Sequence, residues 1–461
     1  MSGRIKSAEE LPPGRDRARP AIRNGKATAW QMQPKQMHGK NGAREETSRV
    51  AKLERPTTPV SFGEWRDVIG QSFPALVKAA EICASVVAQL LLNDVTNPFA
   101  LALVDAPSSG KTITLNFFDV PELIYSTDYF SPASFVSQAS NVQRDELGKI
   151  DLLPRIRWKA MVMRDLATIF GAKEDELLKI MGLLTRALDG EGLELDSGTH
   201  GQRGYSGDYL FMLLAGTTPI PPRVFNVMGG LGCRLFCLAL NSPAKNEYEL
   251  MAQNRGSTCQ QKIARCKQAT RGLLQTLWAA NNHGVTWNTQ ADSDDRLLVI
   301  ARCAKLLAPL RGVIHTWKEP DETIEYGPPT IEKPDRINSL LYNLARGHAL
   351  ICGRTQLTIA DMWPVLEVAF DSAPPIRGKL FRGLIRADGS LRTRDVMKVL
   401  RCGEKKAGLE MEKLALLGVA EISPAFGGKP GRPQNEITLH DDFAWFRSSE
   451  CHDQLELLPA N

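Results

Sequence analysis

Cysteine is scarce in this chain: nine in 461 residues, an odd number with no Cys-x-x-Cys. That argues against a disulfide framework and makes a reducing cytoplasm the expected compartment. Cys233 and Cys237, and Cys259 and Cys266, lack clustered partners, so no metal site is expected from them. Long apolar runs are missing too. No uncharged stretch approaches the roughly 18 residues of a membrane span. The opening MSGRIKSAEELPPGRDR has no apolar core of signal-peptide type. A secreted, membrane-spanning or fibrous protein is therefore not expected. The seven histidines are scattered, and no Ser-His-Asp arrangement follows from spacing. Internal repeats and heptad runs are absent. What remains is 43% hydrophobic and 24% charged, and long enough for about two to four domains.

The net charge of +5 is unevenly spread. Residues 1–55 carry +7, residues 56–375 carry −4, residues 376–440 carry +6, and the last 21 carry −4. A mildly acidic body thus has two basic flanks. Such segments lower the cost of approaching a polyanion through counterion release. Residues 1–58, rich in Arg, Lys, Gly, Pro and Gln, are expected to be a disordered basic tail.

Residues 75–92 are apolar around much of a helical circumference, which predicts a buried helix. Short apolar runs predict covered strands at 99–104, 123–126, 159–163, 209–215 and 235–240. Helical patterns between them, notably 174–188, point to an α/β fold with a parallel sheet. Residues 245–372 read as mostly helical, with a loop or small hairpin at 316–335.

The sharpest signal is Val104-Asp105-Ala106-Pro107-Ser108-Ser109-Gly110-Lys111-Thr112. A strand meets a tight turn, then Gly-Lys-Thr, then helical residues. Backbone N–H groups of such a turn face phosphates, Lys111 reaches the outer ones, and the Thr112 hydroxyl can ligate Mg²⁺. Asp105 stands where the usual pattern has Gly. A Mg-nucleotide site also needs an acid on a neighbouring strand. Asp165, after Arg164, is the candidate for metal or water activation, and Asp128 is the weaker one.

From Lys159 onward the order of pieces resembles an AAA+ ATPase, more narrowly the minichromosome-maintenance helicase branch and its mobile-element relatives. The resemblance covers about residues 65–372. It implies ATP and Mg²⁺, a homo-oligomeric ring, and DNA as partner. Thr217 or Thr218 would stand at the polar sensor position. Arg234, in Leu231-Gly232-Cys233-Arg234-Leu235-Phe236, would be the finger reaching a neighbouring subunit's γ-phosphate, with Arg223 a lesser candidate. Arg336 would contact phosphate from the nucleotide's own subunit. The glycine-rich stretch 188–205 resembles the family's pore hairpin, with His200, Arg203 and Tyr205 as DNA contacts.

Residues 380–440 carry a separate pattern: two short helices around a Cys402-Gly403 turn, then two strands around the basic loop 424–433. It resembles a winged helix. Lys405, Lys406 and Lys413 would line the groove helix, and Lys429 and Arg432 the wing. The expected organisation is therefore a tail (1–58), an AAA+ α/β core (59–244), a helical lid (245–375), a winged helix (376–445) and an acidic tail (446–461). The expected function is an oligomeric ATPase that translocates on, loads onto or remodels DNA. Two alternatives stay open: a DNA-bound regulator whose P-loop is a switch or inactive, and an ATPase that remodels a protein complex.

Overall fold

In a computed structural model, residues 49–137, 146–197, 201–232, 234–242, 244–255, 258–320, 324–425 and 434–456 are described. His200, Cys233, Lys429 and Arg432, and most of the expected N-terminal tail, lie outside the described residues.

Five strands form a parallel sheet: β1 (Ala100–Val104), β2 (Ile124–Thr127), β3 (Ala160–Met163), β6 (Met212–Thr217) and β7 (Leu235–Ala239). A hairpin of β4 (Gly192–Ser197) and β5 (Gly201–Ser206) stands apart from it. The sheet order is β2-β3-β6-β1-β7. The register pairs Val104 with both Thr217 and Ala239, and Met163 with Ala215. β6 thus separates the Lys111 strand from the Asp165 strand. The strand expected at 209–215 is found at Met212–Thr217, which puts Thr217 inside it.

Strand residues alternate strictly between two cores, as the pleat requires. Leu101, Leu103, Val162, Leu214 and Phe236 face one cluster, and Ala102, Met161, Met163, Leu213 and Leu235 face the other. The first is covered by the Val77–Ala88 and Asp335–Ile351 helices, which pack on each other. The second is covered by Glu174–Ala187 and Pro222–Leu231. Residues 74–91, which include Lys78 and Glu81, are long and apolar enough to cross a membrane by length and composition alone. In this fold 78% of that stretch is buried, as befits a core helix.

Order begins before residue 59. The Arg49 guanidinium donates to the carbonyls of Leu92, Asn93 and Val95, and Val50 is buried in the first core. That same core runs on through Leu391, Ile437 and Phe446 to Cys451. The C-terminal stretch has helices Pro375–Arg386, Thr393–Leu400 and Glu404–Leu416. Three short strands accompany them: Ser390–Arg392, Ala420–Ala425 and Gln434–Leu439. Gly418 ends the last helix at φ +70°, the left-handed cap expected of glycine. Residues 446–456 are not a bare acidic tail. A helix spans Ser449–Glu456, and Phe446 packs on Phe370 and Phe381 with centroids 5.9 and 5.5 Å away.

Candidate functional site

The chain leaves β1 at Val104 and turns sharply through residues 105–110. Ser108 (φ 64°) and Gly110 (φ 101°) both take left-handed backbone. A Cβ on Gly110 would lie 2.8 Å from Leu76 Cδ2, so close approach as well as φ demands glycine there. Lys111 then opens the Lys111–Leu115 helix. Its Nζ donates to the carbonyls of Asp105 (2.8 Å) and Ala106 (2.6 Å) and to Ser109 Oγ (3.2 Å). The amine sits against the loop, and the residue as a whole is 9% exposed. Burial lowers its pKa, and the nearby charges of Asp105 and Asp165 partly offset this. Thr112 is exposed on the first turn.

Asp105 acts as a brace. Its Oδ1 accepts from Ala106 N (2.7 Å) and its Oδ2 from Ser242 N (3.1 Å). The Ser242 hydroxyl in turn donates to Ser109 O (2.8 Å). The carboxylate in place of the usual glycine thereby ties the loop to the segment beyond β7.

Asp165 follows β3, and its Oδ1 accepts from Ala167 N at 2.8 Å. Arg164 donates to Asp128 Oδ1 (2.9 Å) and Asn116 Oδ1 (3.3 Å), so Asp128 is already paired. Thr217 is 1% exposed, and its hydroxyl donates to Thr218 O at 3.0 Å. Its carbonyl accepts from Asp105 N at 3.3 Å. Thr218 is half-buried. Gly216 lets these pieces meet. A Cβ there would stand 2.7 Å from the Arg164 carbonyl and 3.5 Å from Lys111 Cβ.

The sequence also gave no warning of a cavity of about 620 Å³ beside the loop. Arg66, Gly70, Lys78, Leu240, Trp363 and Glu367 are among its lining residues. Leu76 backs onto Gly110 next to it, and Asn241 precedes the bracing Ser242. Burial raises the Glu367 pKa, helped by Asp371 and opposed by Lys78 and Arg382. The available signal was Trp363 and Glu367, one helical turn apart in Met362–Asp371.

Other expected residues lie elsewhere. Arg234 precedes β7, whereas Lys111 follows β1. These strands run parallel with Ala100 opposite Leu235, so the two side chains belong to opposite edges of the sheet, roughly 15 Å apart along the strands. Arg234 is buried; its Nε (2.9 Å) and Nη2 (2.6 Å) both donate to Asp189 Oδ1. Arg336 lies near Arg234. Its guanidinium lies by Gly232 and shares the charge of Glu332 with Arg311 and Arg234. That is Arg234's edge and not the edge of its own loop. Burial raises the Glu332 pKa against those three arginines. Arg223 donates to the Phe170 (2.7 Å) and Ala172 (2.9 Å) carbonyls, a local tie.

In the hairpin, Leu193 sits opposite Tyr205 and Leu195 opposite Arg203. Residues directly opposite share a face, and this face turns inward. The Tyr205 hydroxyl donates to Asp151 Oδ2 (2.7 Å), and Arg203 donates to Ser137 O (3.4 Å). The outward face presents Glu194, Asp196 and Gln202. In this arrangement the Tyr205 hydroxyl and the Arg203 guanidinium are engaged within the fold. Lys405 and Lys406 are exposed at the start of Glu404–Leu416, while Lys413 donates to Glu410 Oε1 (2.9 Å). Among the described residues, no group of three or more His, Cys, Asp or Glu is placed to hold a metal ion.

No family model matches the chain, and no curated protein matches it. Among solved structures, it is similar to a full-length MCM homolog from Methanopyrus kandleri at 8% identity and a TM-score of 0.40. The likeness covers 71% of this chain and 63% of that one.

Proposed function

We propose that this chain is a P-loop nucleoside triphosphatase of the AAA+ kind that works on DNA as an oligomer. The observation that carries the reading is Lys111: a part-buried ammonium held by three oxygens of a loop between strand and helix, one strand removed from Asp165. Phosphate oxygens are stronger acceptors for that amine than neutral carbonyls. An ATP phosphate tail would take their place, with the base in the adjoining cavity. The exposed Thr112 hydroxyl and the Asp165 carboxylate, which share the Lys111 rim, fit Mg²⁺, an ion that keeps several waters and takes few protein ligands. When bound, the ion would neutralise charge on the phosphates. Thr217 and Thr218 would supply the polar group beside them.

Arg234 and Arg336 cannot serve their own loop from the far edge. In a ring they would face a neighbour's nucleotide, which makes hydrolysis depend on assembly. Arg234 would first exchange Asp189 for phosphate. The C-terminal stretch would be a winged helix holding DNA phosphates through Lys405 and Lys406, joined by Lys413, Lys429 and Arg432.

The test is Mg-ATP calorimetry together with DNA-stimulated hydrolysis on the full chain. Lys111→Ala should weaken ATP binding at least tenfold. Arg234→Ala should keep binding and lose hydrolysis. Lys405→Glu with Lys406→Glu should flatten the salt dependence of DNA affinity by about two ions. No heat with any Mg-nucleoside triphosphate would sink the reading. A second reading, a nucleotide switch without turnover, is favoured by Arg164 beside Asp165 and by the Arg234–Asp189 lock. Tight ATP binding with no hydrolysis would select it.

A further inference from the structure

His348 lies where three parts of the fold meet, and it is 2% exposed. Its Nδ1 is 2.7 Å from Asp361 Oδ1, and its Nε2 is 2.9 Å from Glu81 Oε1. Carboxylate oxygens only accept, so satisfying both requires a proton on each ring nitrogen. Asp361 also accepts from Arg354 Nη1 (2.6 Å), Arg354 Nη2 (2.8 Å) and Thr358 N (2.7 Å), which holds it ionised. Behind Glu81 stands Arg66, at 3.4 Å. Cys352 Sγ lies 4.0 Å from Nε2. Burial opposes the charge, but the bonds to Asp361, Cys352 and Glu81 hold the His348 pKa well above its ordinary value.

Two of the groups around this ring also line the cavity beside the loop. Trp363 meets the His348 ring edge-on, with centroids 5.8 Å apart at 85°. Phe62 does so on another side, at 6.4 Å and 81°. Trp363 and Arg66 are both cavity residues. Glu81 sits one turn from the cavity residue Lys78 on the Val77–Ala88 helix. The His348 helix, the Glu81 helix and the Trp363 helix are thereby fixed to one another at the cavity wall.

We propose that His348 is a positioning residue for this cavity: it sets the Trp363 wall and the Glu81–Arg66 arm so that the space accepts the flat base of a nucleotide whose phosphates lie at Lys111. This rests on the nucleotide reading above. The contacts do not require His348 to touch the ligand; it acts through Trp363 and Arg66.

The test compares Mg-ATP with inorganic tripolyphosphate plus Mg²⁺, which has the phosphates and no base. Both are titrated calorimetrically into the full-length wild type and His348→Gln. ATP affinity should fall tenfold or more in the variant, and tripolyphosphate affinity should stay within twofold. Trp363 emission, taken as the difference between each protein and its Trp363→Phe partner, should shift when the adjacent cation is lost. If His348→Gln does not fold, His348→Gln with Glu81→Gln leaves no stranded carboxylate and serves instead. Equal losses for both ligands, no loss for either, or unchanged Trp363 emission would overturn the proposal. A wild type that binds tripolyphosphate and gains nothing from the base overturns it while sparing the phosphate cradle. A wild type that binds neither ligand removes the nucleotide reading itself, and the proposal with it.

Discussion

Asp105 offers a prediction in which stability and binding move in opposite directions. Asp105→Gly restores the residue usual at that position of the loop. It removes two hydrogen bonds, to Ala106 N and Ser242 N. Each is worth ~1 kcal/mol for a half-buried carboxylate, and glycine adds up to ~1 kcal/mol of backbone freedom. The expected loss is about 2–3 kcal/mol, or roughly 2–4 °C in Tm for a chain this long. Binding should go the other way. Removing a negative charge about 8 Å from a triphosphate, at an effective dielectric of about 40, is worth ~1 kcal/mol per phosphate charge felt. Mg-ATP affinity should therefore rise about fivefold. Asp105→Asn separates the two effects, because it keeps one acceptor oxygen and loses the charge. It should show about half the stability loss and the same gain in affinity. Thermal denaturation without ligand and calorimetry with Mg-ATP read both quantities. A folded Asp105→Gly protein with unchanged Tm, or with weaker ATP binding than wild type, would refute the account of the brace.

Two further outcomes follow from close contacts elsewhere. Gly216→Ala puts a Cβ 2.7 Å from the Arg164 carbonyl, an overpacking of ~1–3 kcal/mol. The shift that relieves it displaces Asp165, so steady-state assays should show hydrolysis falling more than ATP binding, and urea unfolding should show the stability loss. His348 makes stability pH-dependent. Its folded pKa lies above the ordinary 6.5, so its contribution is complete below about pH 6.5 and is lost as pH rises through the folded value. Tm should decline towards alkaline pH in the wild type, and His348→Gln should flatten that decline. Equal slopes would show that the ring carries no charge in the folded protein.

The sheet was legible because its strands are short apolar runs covered on both sides, a pattern that helices of similar hydrophobicity exceed in length. The Lys111 loop was legible because its chemistry is local: turn, glycine, lysine and helix start follow one another in sequence. The position of Asp165 just beyond a strand is legible for the same reason, since it follows an apolar run. The cavity was not legible. Arg66, Leu240 and Trp363 come from segments more than a hundred residues apart, and nothing local marks their meeting. The place of Arg336 beside Gly232 is not legible in the sequence, because the direction in which the Asp335–Ile351 helix docks is a tertiary choice. The hairpin did carry a usable signal. Leu193 and Leu195 lie opposite Tyr205 and Arg203, and an apolar face predicts burial of whatever shares it. The short strand Ser390–Arg392 was too brief for alternation to reveal.

The Met362–Asp371 helix is ten residues long. Trp363 and Glu367 on one face of it line the cavity, and Asp371 at its end accepts at 2.8 Å from the N–H of Ala239, another lining residue. Phe370 joins the Phe381–Phe446 knot of the C-terminal stretch. A rod about 15 Å long thus joins the cavity wall to the chain's last aromatic cluster. The terminal stretch is thus one of the supports of the cavity wall: removing it would strip Phe370, and with it the helix that carries Trp363 and Glu367, of its Phe446 contact.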